Sequence, residues 1–188
     1  MKKDFIFEIY KNSKTVFSFK DIALIMNETN ADALKSKIHY YVKTGKLRAL
    51  RKGVYAKPDY NALELAAKIY SPAYISLETV LQREGIIFQH DTCIYAVSYI
   101  SRTIEICRHC IVMRKIKNEA LYNNRGIIIS DHVPMATKER AFLDTLYLYK
   151  NYHFDNPGSL KIQDVKMLLP VYQSHTLNKK VSALLNLC

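Results

Sequence analysis

Few residues in this chain stand at spacings that could do chemistry. Cys107-Arg-His-Cys110 is the one stretch with the spacing of metal ligands. A structural zinc takes four nitrogen or sulfur ligands; this segment offers up to three, and Cys93 could complete the set if the fold brought it close. No second CxxC and no HxxxH follows. Residues 104–113 also read as a strand, on which Cys107 and Cys110 would point to opposite faces. Buried thiols in a sheet are therefore expected, with no metal ligands and no cofactor. His90-Asp91 follows an apolar run and reads as a turn. Arg140 and Asp144 stand four apart beside Glu139, the spacing of an ordinary helical ion pair worth ~0.2–0.5 kcal/mol. That pair is expected to hold a helix against a sheet rather than to react. GxSxG, P-loop and GxGxxG patterns are absent, and five glycines leave little material for a phosphate-cradling loop. No catalytic residue is assigned, and the chain is not expected to be an enzyme.

Binding chemistry is better represented. Lys46-Leu-Arg-Ala-Leu-Arg-Lys-Gly-Val-Tyr55 sets Leu47, Ala49 and Val54 at near-strand spacing and adds Arg48, Arg51 and Lys52, with Gly53 available for a turn. Such a ribbon can lie along a phosphate backbone. Taken alone, it fits a solvated surface hairpin equally well, so the elements before it decide.

Those elements are three predicted helices. Phe5, Ile6, Ile9 and Tyr10 give the first its apolar side. Ser18, with Asp21 three positions on, caps a short second helix carrying Ile22, Ala23, Ile25 and Met26. Asn30 caps a third from Ala31 to about Lys43, whose buried stripe is Leu34, Ile38, Tyr41 and Val42. Three helices followed by a basic hairpin is the order of a winged helix-turn-helix. The major groove is roughly 12 Å wide and admits one α-helix, so the third helix is the candidate reader. The candidate DNA-binding residues divide by role. Lys35, Lys43, Arg48, Arg51 and Lys52 would hold phosphates, whereas Asn30, Ser36, His39 and Tyr40 would face base edges.

The junction is expected at residues 57–61, where Pro58 ends the hairpin and Asp59 or Asn61 opens a helix. This divides the chain into residues 1–57 and 58–188. In the second part a helix capped by Ser76 is expected to stop at Gly85. Strands follow within 91–101, 102–117 and 126–130, with Ile127, Ile128 and Ile129 read as a buried strand. Helices return at 137–149, 161–169 and 174–187. The expected class is α+β: a winged helix-turn-helix, then a mixed α/β domain with a mainly antiparallel sheet.

Charge agrees with the first part as the binding region. The formal net charge is +11, and residues 1–60 hold 13 basic and 6 acidic side chains against 15 and 11 in the remainder. Double-stranded DNA is the expected partner, because neutralised phosphates release counterions. No membrane partner is expected, since no long apolar run or basic amphipathic anchor occurs. The N-terminus places Asp4 and Glu8 within its apolar stretch and is not expected to act as a signal peptide. With four cysteines, the expectation is a cytoplasmic chain with reduced thiols.

Three blocks in order carry a resemblance: residues 45–55, then Ala73-Tyr-Ile-Ser-Leu-Glu-Thr-Val-Leu-Gln-Arg-Glu-Gly-Ile86, then Met135-Ala-Thr-Lys-Glu-Arg-Ala-Phe-Leu-Asp144. Together they resemble the AbiEi family of antitoxins. The resemblance implies a winged helix that represses its own operon at inverted repeats, and a C-terminal domain that neutralises a cognate nucleotidyltransferase-like toxin encoded next door. A monomer or weak dimer is expected. The chain departs from that pattern at Glu78-Thr-Val, where small residues and Ala are more usual, and in a Tyr- and Lys-rich tail. The alternative is a stand-alone winged-helix regulator whose C-terminal domain senses a ligand or dimerises.

Overall fold

The computed structural model describes residues 4–185. The chain divides into two compact units, Met1–Ile69 and Tyr70–Cys188. In the first, α1 (Phe5–Lys11) starts where the Asp4 carboxylate accepts the amides of Ile6 and Phe7. The short strand β1 (Val16–Ser18) leads into α2 (Phe19–Met26), opened by a capping box: Asp21 N donates to Ser18 Oγ at 3.1 Å and Ser18 N to Asp21 Oδ2 at 2.7 Å. Asn27, left-handed at φ 49°, ends α2. Asn30 caps α3 (Ala31–Lys43) by accepting from the amides of Asp32 and Ala33.

Next come β2 (Arg48–Arg51) and β3 (Val54–Ala56), antiparallel around Gly53, whose φ of 77° suits a residue without Cβ. β1 adds on the other side of β3, giving the order β1-β3-β2. Phe5, Ile9, Phe17, Ile22, Leu34, Ile38 and Leu47 form the core.

The helix after Pro58, α4 (Ala62–Ile69), closes this unit instead of opening the next. Its Glu64 Oε2 accepts from Thr15 N at 2.7 Å, Thr15 Oγ1 at 3.0 Å and Val16 N at 2.8 Å. Lys68 Nζ lies 2.8 Å from Asp21. The division therefore falls after Ile69 rather than after Lys57, because α4 supplies the acceptor that β1 needs at its start.

The second unit holds β4 (Ala73–Ile75), α5 (Leu77–Arg83), β5 (Ile94–Ser98), β6 (Arg102–Ile106), β7 (His109–Lys115), α6 (Asn118–Leu121), β8 (Ile127–Ser130), β9 (Val133–Ala136), α7 (Lys138–Leu148), α8 (Ile162–Leu168) and α9 (His175–Leu184). The class is α+β. Its sheet order is β6-β7-β5-β4-β9-β8, and it is mixed: β6–β7, β4–β5 and β8–β9 are antiparallel, as expected for most of the sheet, whereas β5–β7 and β4–β9 run parallel. The helix expected over 174–187 runs from His175 to Leu184; Leu187, like Cys188, lies outside the described residues.

Several expectations are corrected by tertiary context. The stretch 102–117 is a hairpin, not one strand, since Cys107 turns the chain at φ 55°. Cys107 is exposed there, while Cys93 and Cys110 form a disulfide with Cα atoms 4.7 Å apart. The β5–β7 register explains the pairing: Ile94 lies beside Ile111, which brings the residues just before them together. The expectation of reduced thiols therefore fails for that pair. The apolar run at 127–129 is an edge strand, with Ile128 51% and Ile129 72% exposed. β1, α6 and β9 carry short, weak patterns that the sequence left unassigned, and Ala73–Ile75, which reads as part of a tight turn before the Ser76 helix, is the strand β4.

Candidate nucleic-acid interface

The third helix turns one stripe outward. Asp32, Lys35, Ser36, His39, Tyr40 and Lys43, at steps of three and four, are all exposed, while Leu34 and Ile38 are buried. The chain passes directly from this helix to the hairpin: Gly45 N donates to Val42 O at 3.1 Å and Leu47 N to Tyr41 O at 3.0 Å. Buried Leu47 pins the crossing, and Arg48, Arg51 and Lys52 follow on the exposed side. One continuous segment of the first unit thus carries an exposed helix stripe and a basic ribbon.

Within the stripe the residues differ in what already engages them. Asn30 is the cap of α3, so its Oδ1 is occupied by two backbone amides. Ser36 Oγ donates to Asp32 O at 3.0 Å. Lys35 Nζ pairs with Asp32 at 3.0 Å, an exposed contact that water and salt readily compete for. His39, Tyr40 and Lys43 lie further along, toward the hairpin. Tyr40 is 60% exposed and rests edge-on against Tyr41 with ring centroids 5.1 Å apart; Tyr41 stacks on Phe5 at 4.9 Å. The aromatic ladder holds the Tyr40 ring at the surface.

Two cations that sequence reasoning passed over belong to the same region. Lys37 pairs with Glu28 at 3.0 Å, which lowers the Glu28 pKa. Lys46, between helix and ribbon, sits 6.0 Å from the centre of the Tyr41 ring. The Gly45 break in the pattern was the available signal for Lys46; Lys37 carried none, since it falls between the apolar and polar stripes.

Polar chemistry in the second unit points inward. Arg140 and Asp144 on α7 are both wholly buried. All five guanidinium N–H groups of Arg140 find acceptors: Asp144 Oδ1 at 3.3 Å, Tyr74 Oη at 3.1 Å, and the carbonyls of Ala120, Asn123 and Arg125 at 2.6, 3.3 and 2.8 Å. Asp144 in turn accepts from Ser76 Oγ at 2.8 Å, Tyr172 Oη at 2.6 Å and Tyr74 Oη at 3.2 Å. Complete burial pushes the Asp144 carboxyl above its ordinary value, against the pull of Arg140 and the hydroxyls. Burial also raises Tyr74 and Tyr172 well above the usual phenol value, so both remain hydrogen-bond donors.

The expected ordinary helical pair is thus the centre of a buried network. Ser76, predicted as the cap of α5, makes no cap bond because its hydroxyl is given to Asp144. Among the described residues no group of three or more His, Cys, Asp or Glu side chains is placed to hold a metal ion. Glu78, the departure noted in the second block, is half-buried; burial raises its pKa against a Tyr149 hydrogen bond and the charge of Arg114.

No family model matches the chain, and no curated protein matches its sequence. The crystal structure of the RV2827C protein from Mycobacterium tuberculosis is similar in fold, with a TM-score of 0.54 at 11% identity, covering 96% of this chain and 74% of that one. At that identity the likeness concerns the fold alone. No helix among the described residues is long and apolar enough to cross a membrane.

Proposed function

We propose that the first unit is a winged helix-turn-helix that binds double-stranded DNA, with α3 in the major groove and the β2–β3 ribbon along the phosphates. The observation that carries this reading is the unbroken segment from Lys35 to Lys52, in which an exposed helix stripe runs into an exposed basic hairpin. Engagement of Asn30 and Ser36 within the helix shifts the base-reading role toward His39 and Tyr40. Lys43, Arg48, Arg51 and Lys52 hold phosphate, and Lys35 joins them once its exposed pair with Asp32 opens.

The fuller reading is an antitoxin that represses its own operon and neutralises a nucleotidyltransferase-like toxin. Its support is the set of three sequence blocks, of which the second and third meet in space: Tyr74 and Ser76 from one, Arg140 and Asp144 from the other, form a single buried network. Residues from the two blocks that carry the resemblance are thus joined inside the second unit. The expected outcome is binding of the purified chain to DNA upstream of its own gene and rescue of growth when coexpressed with the product of the adjacent gene. Growth arrest that persists despite coexpression overturns the antitoxin half and leaves the DNA half standing.

The alternative, a stand-alone regulator that senses a ligand, draws on a groove of about 520 Å³ in the second unit, bordered by Arg125, Glu139, Asp164 and Met167. DNA binding that changes with a small molecule, with no effect on a neighbouring toxin, would favour it.

A further inference from the structure

The two edges of the six-stranded sheet are unlike. β6 carries exposed Arg102 and Glu105, charges of the kind that discourage pairing with another chain. β8, at the opposite edge, is Ile-Ile-Ile-Ser, with Ile128 and Ile129 exposed and no charge or proline within it. Its hairpin with β9 turns tightly through Asp131 and His132, whose positive φ values of 47° and 66° suit a two-residue turn. Such a turn makes Ser130 and Val133 a hydrogen-bonded pair, and alternation then makes Ile128 and Met135 the next. Ile129 and Pro134 form the intervening pair without ladder bonds, as the missing N–H of proline requires. The polar backbone groups of Ile127 and Ile129 consequently face the open edge.

We propose that β8 pairs antiparallel with β8 of a second copy of this chain, about a two-fold axis at Ile128. This is the self-pairing that sets outward-facing residues opposite one another along the strand, Ile127 against Ile129 of the other copy and the reverse. Each Ile129 N–H then donates to the Ile127 carbonyl across the axis. Ile127 N already donates to Asn124 O at 3.1 Å, so the contact rests on these two bonds and the isoleucine side chains. Charge selects a second copy as the occupant. Exposed Arg125 precedes the strand and exposed Asp131 follows it, so the two-fold brings each Arg125 to the other copy's Asp131. The interface is short and the association weak, and it stands whether or not the chain binds DNA.

Sedimentation equilibrium of the full chain from micromolar to near-millimolar concentration is expected to show a monomer–dimer equilibrium. Ile129→Lys abolishes it, and so does Ile129→Pro, which removes the outward N–H along with the isoleucine side chain but takes no ladder bond from the pairing with β9; thermal melts of both establish that they fold. Arg125→Asp weakens association about threefold or more, as loss of exposed ion pairs should, and adding Asp131→Lys restores it. In a Cys107→Ser, Cys188→Ser background, Ile128→Cys cross-links to its own copy across the axis, where facing Cα atoms lie within disulfide reach. Ile127→Cys, offset along the strand, does not. A wild-type chain that stays monomeric throughout, an Ile129→Lys variant that still dimerises, or equal cross-linking at 127 and 128 would overturn the proposal.

Discussion

The two units use the same residue types in opposite ways. In the first, the α3–ribbon segment leaves His39, Tyr40, Lys43, Arg48 and Lys52 exposed, and its ion pairs are solvent-facing. In the second, Arg140, Asp144, Tyr74 and Tyr172 are sealed from water and bonded to one another. A surface cation exchanges water and counterions for phosphate at small cost, whereas a buried guanidinium must have every donor met to be tolerated at all. Charge of the first kind suits a partner, and charge of the second kind fixes an architecture. Exposure and bonding, rather than residue identity, separate the two.

The largest expected effect breaks the second half of that contrast. Arg140→Met leaves buried Asp144 without its cation and should destabilise the second unit by about 3–5 kcal/mol, seen as a lowered midpoint in chemical denaturation. Asp144→Asn combined with Arg140→Met should recover part of the loss, since the uncompensated charge is then gone. Next in size, His39→Ala or Tyr40→Ala should change discrimination between operator variants by about 1–3 kcal/mol, measured by competition binding, with stability unchanged. A uniform loss across all sequences would instead move those residues into the phosphate-contacting class.

Arg48→Ala with Arg51→Ala should weaken binding to every sequence and lower the slope of log affinity against log salt by about two. An unchanged slope would count against ribbon contacts with phosphate. The smallest effect concerns acid. Burial pushes the Asp21 carboxyl up, but Lys68 and the Ser18 donors outweigh it and hold its pKa below the ordinary value. Asp21 therefore stabilises the first unit fully above its unfolded value near 3.8, and this contribution is lost as pH falls through the lower folded value. Asp144, shifted the other way by burial, gives the second unit no such loss on acidification. Unit-resolved hydrogen exchange between pH 5 and 3 should show the first unit loosening on this account, and Asp21→Asn should flatten the trend.

How much was legible follows from how local each cause is. Helix α3 runs from Ala31 to Lys43 as the Asn30 cap and the Leu34–Ile38 spacing predicted. The Ser18–Asp21 capping box is likewise a matter of neighbours. The Arg48–Lys52 ribbon was readable because alternation and a glycine turn are properties of ten consecutive residues. Ile127–Ile129 misled for the opposite reason: apolar composition expresses a tendency to be covered, and position in the sheet order decides whether anything covers it. Cys93 and Cys110 meet through a parallel register between strands that are not consecutive in sequence.

By itself, the sequence determined the helices and hairpin of the first unit, the concentration of positive charge there, and the pairing of Arg140 with Asp144, because each depends on residues a few positions apart. The tertiary structure decided that α4 belongs to the first unit, that Ser76 gives up its cap to serve Asp144, and that an isoleucine strand lies on an open edge. Each of those outcomes is a choice among competing partners for the same hydrogen bond or apolar surface. Such a choice is made only when segments far apart in the chain come together.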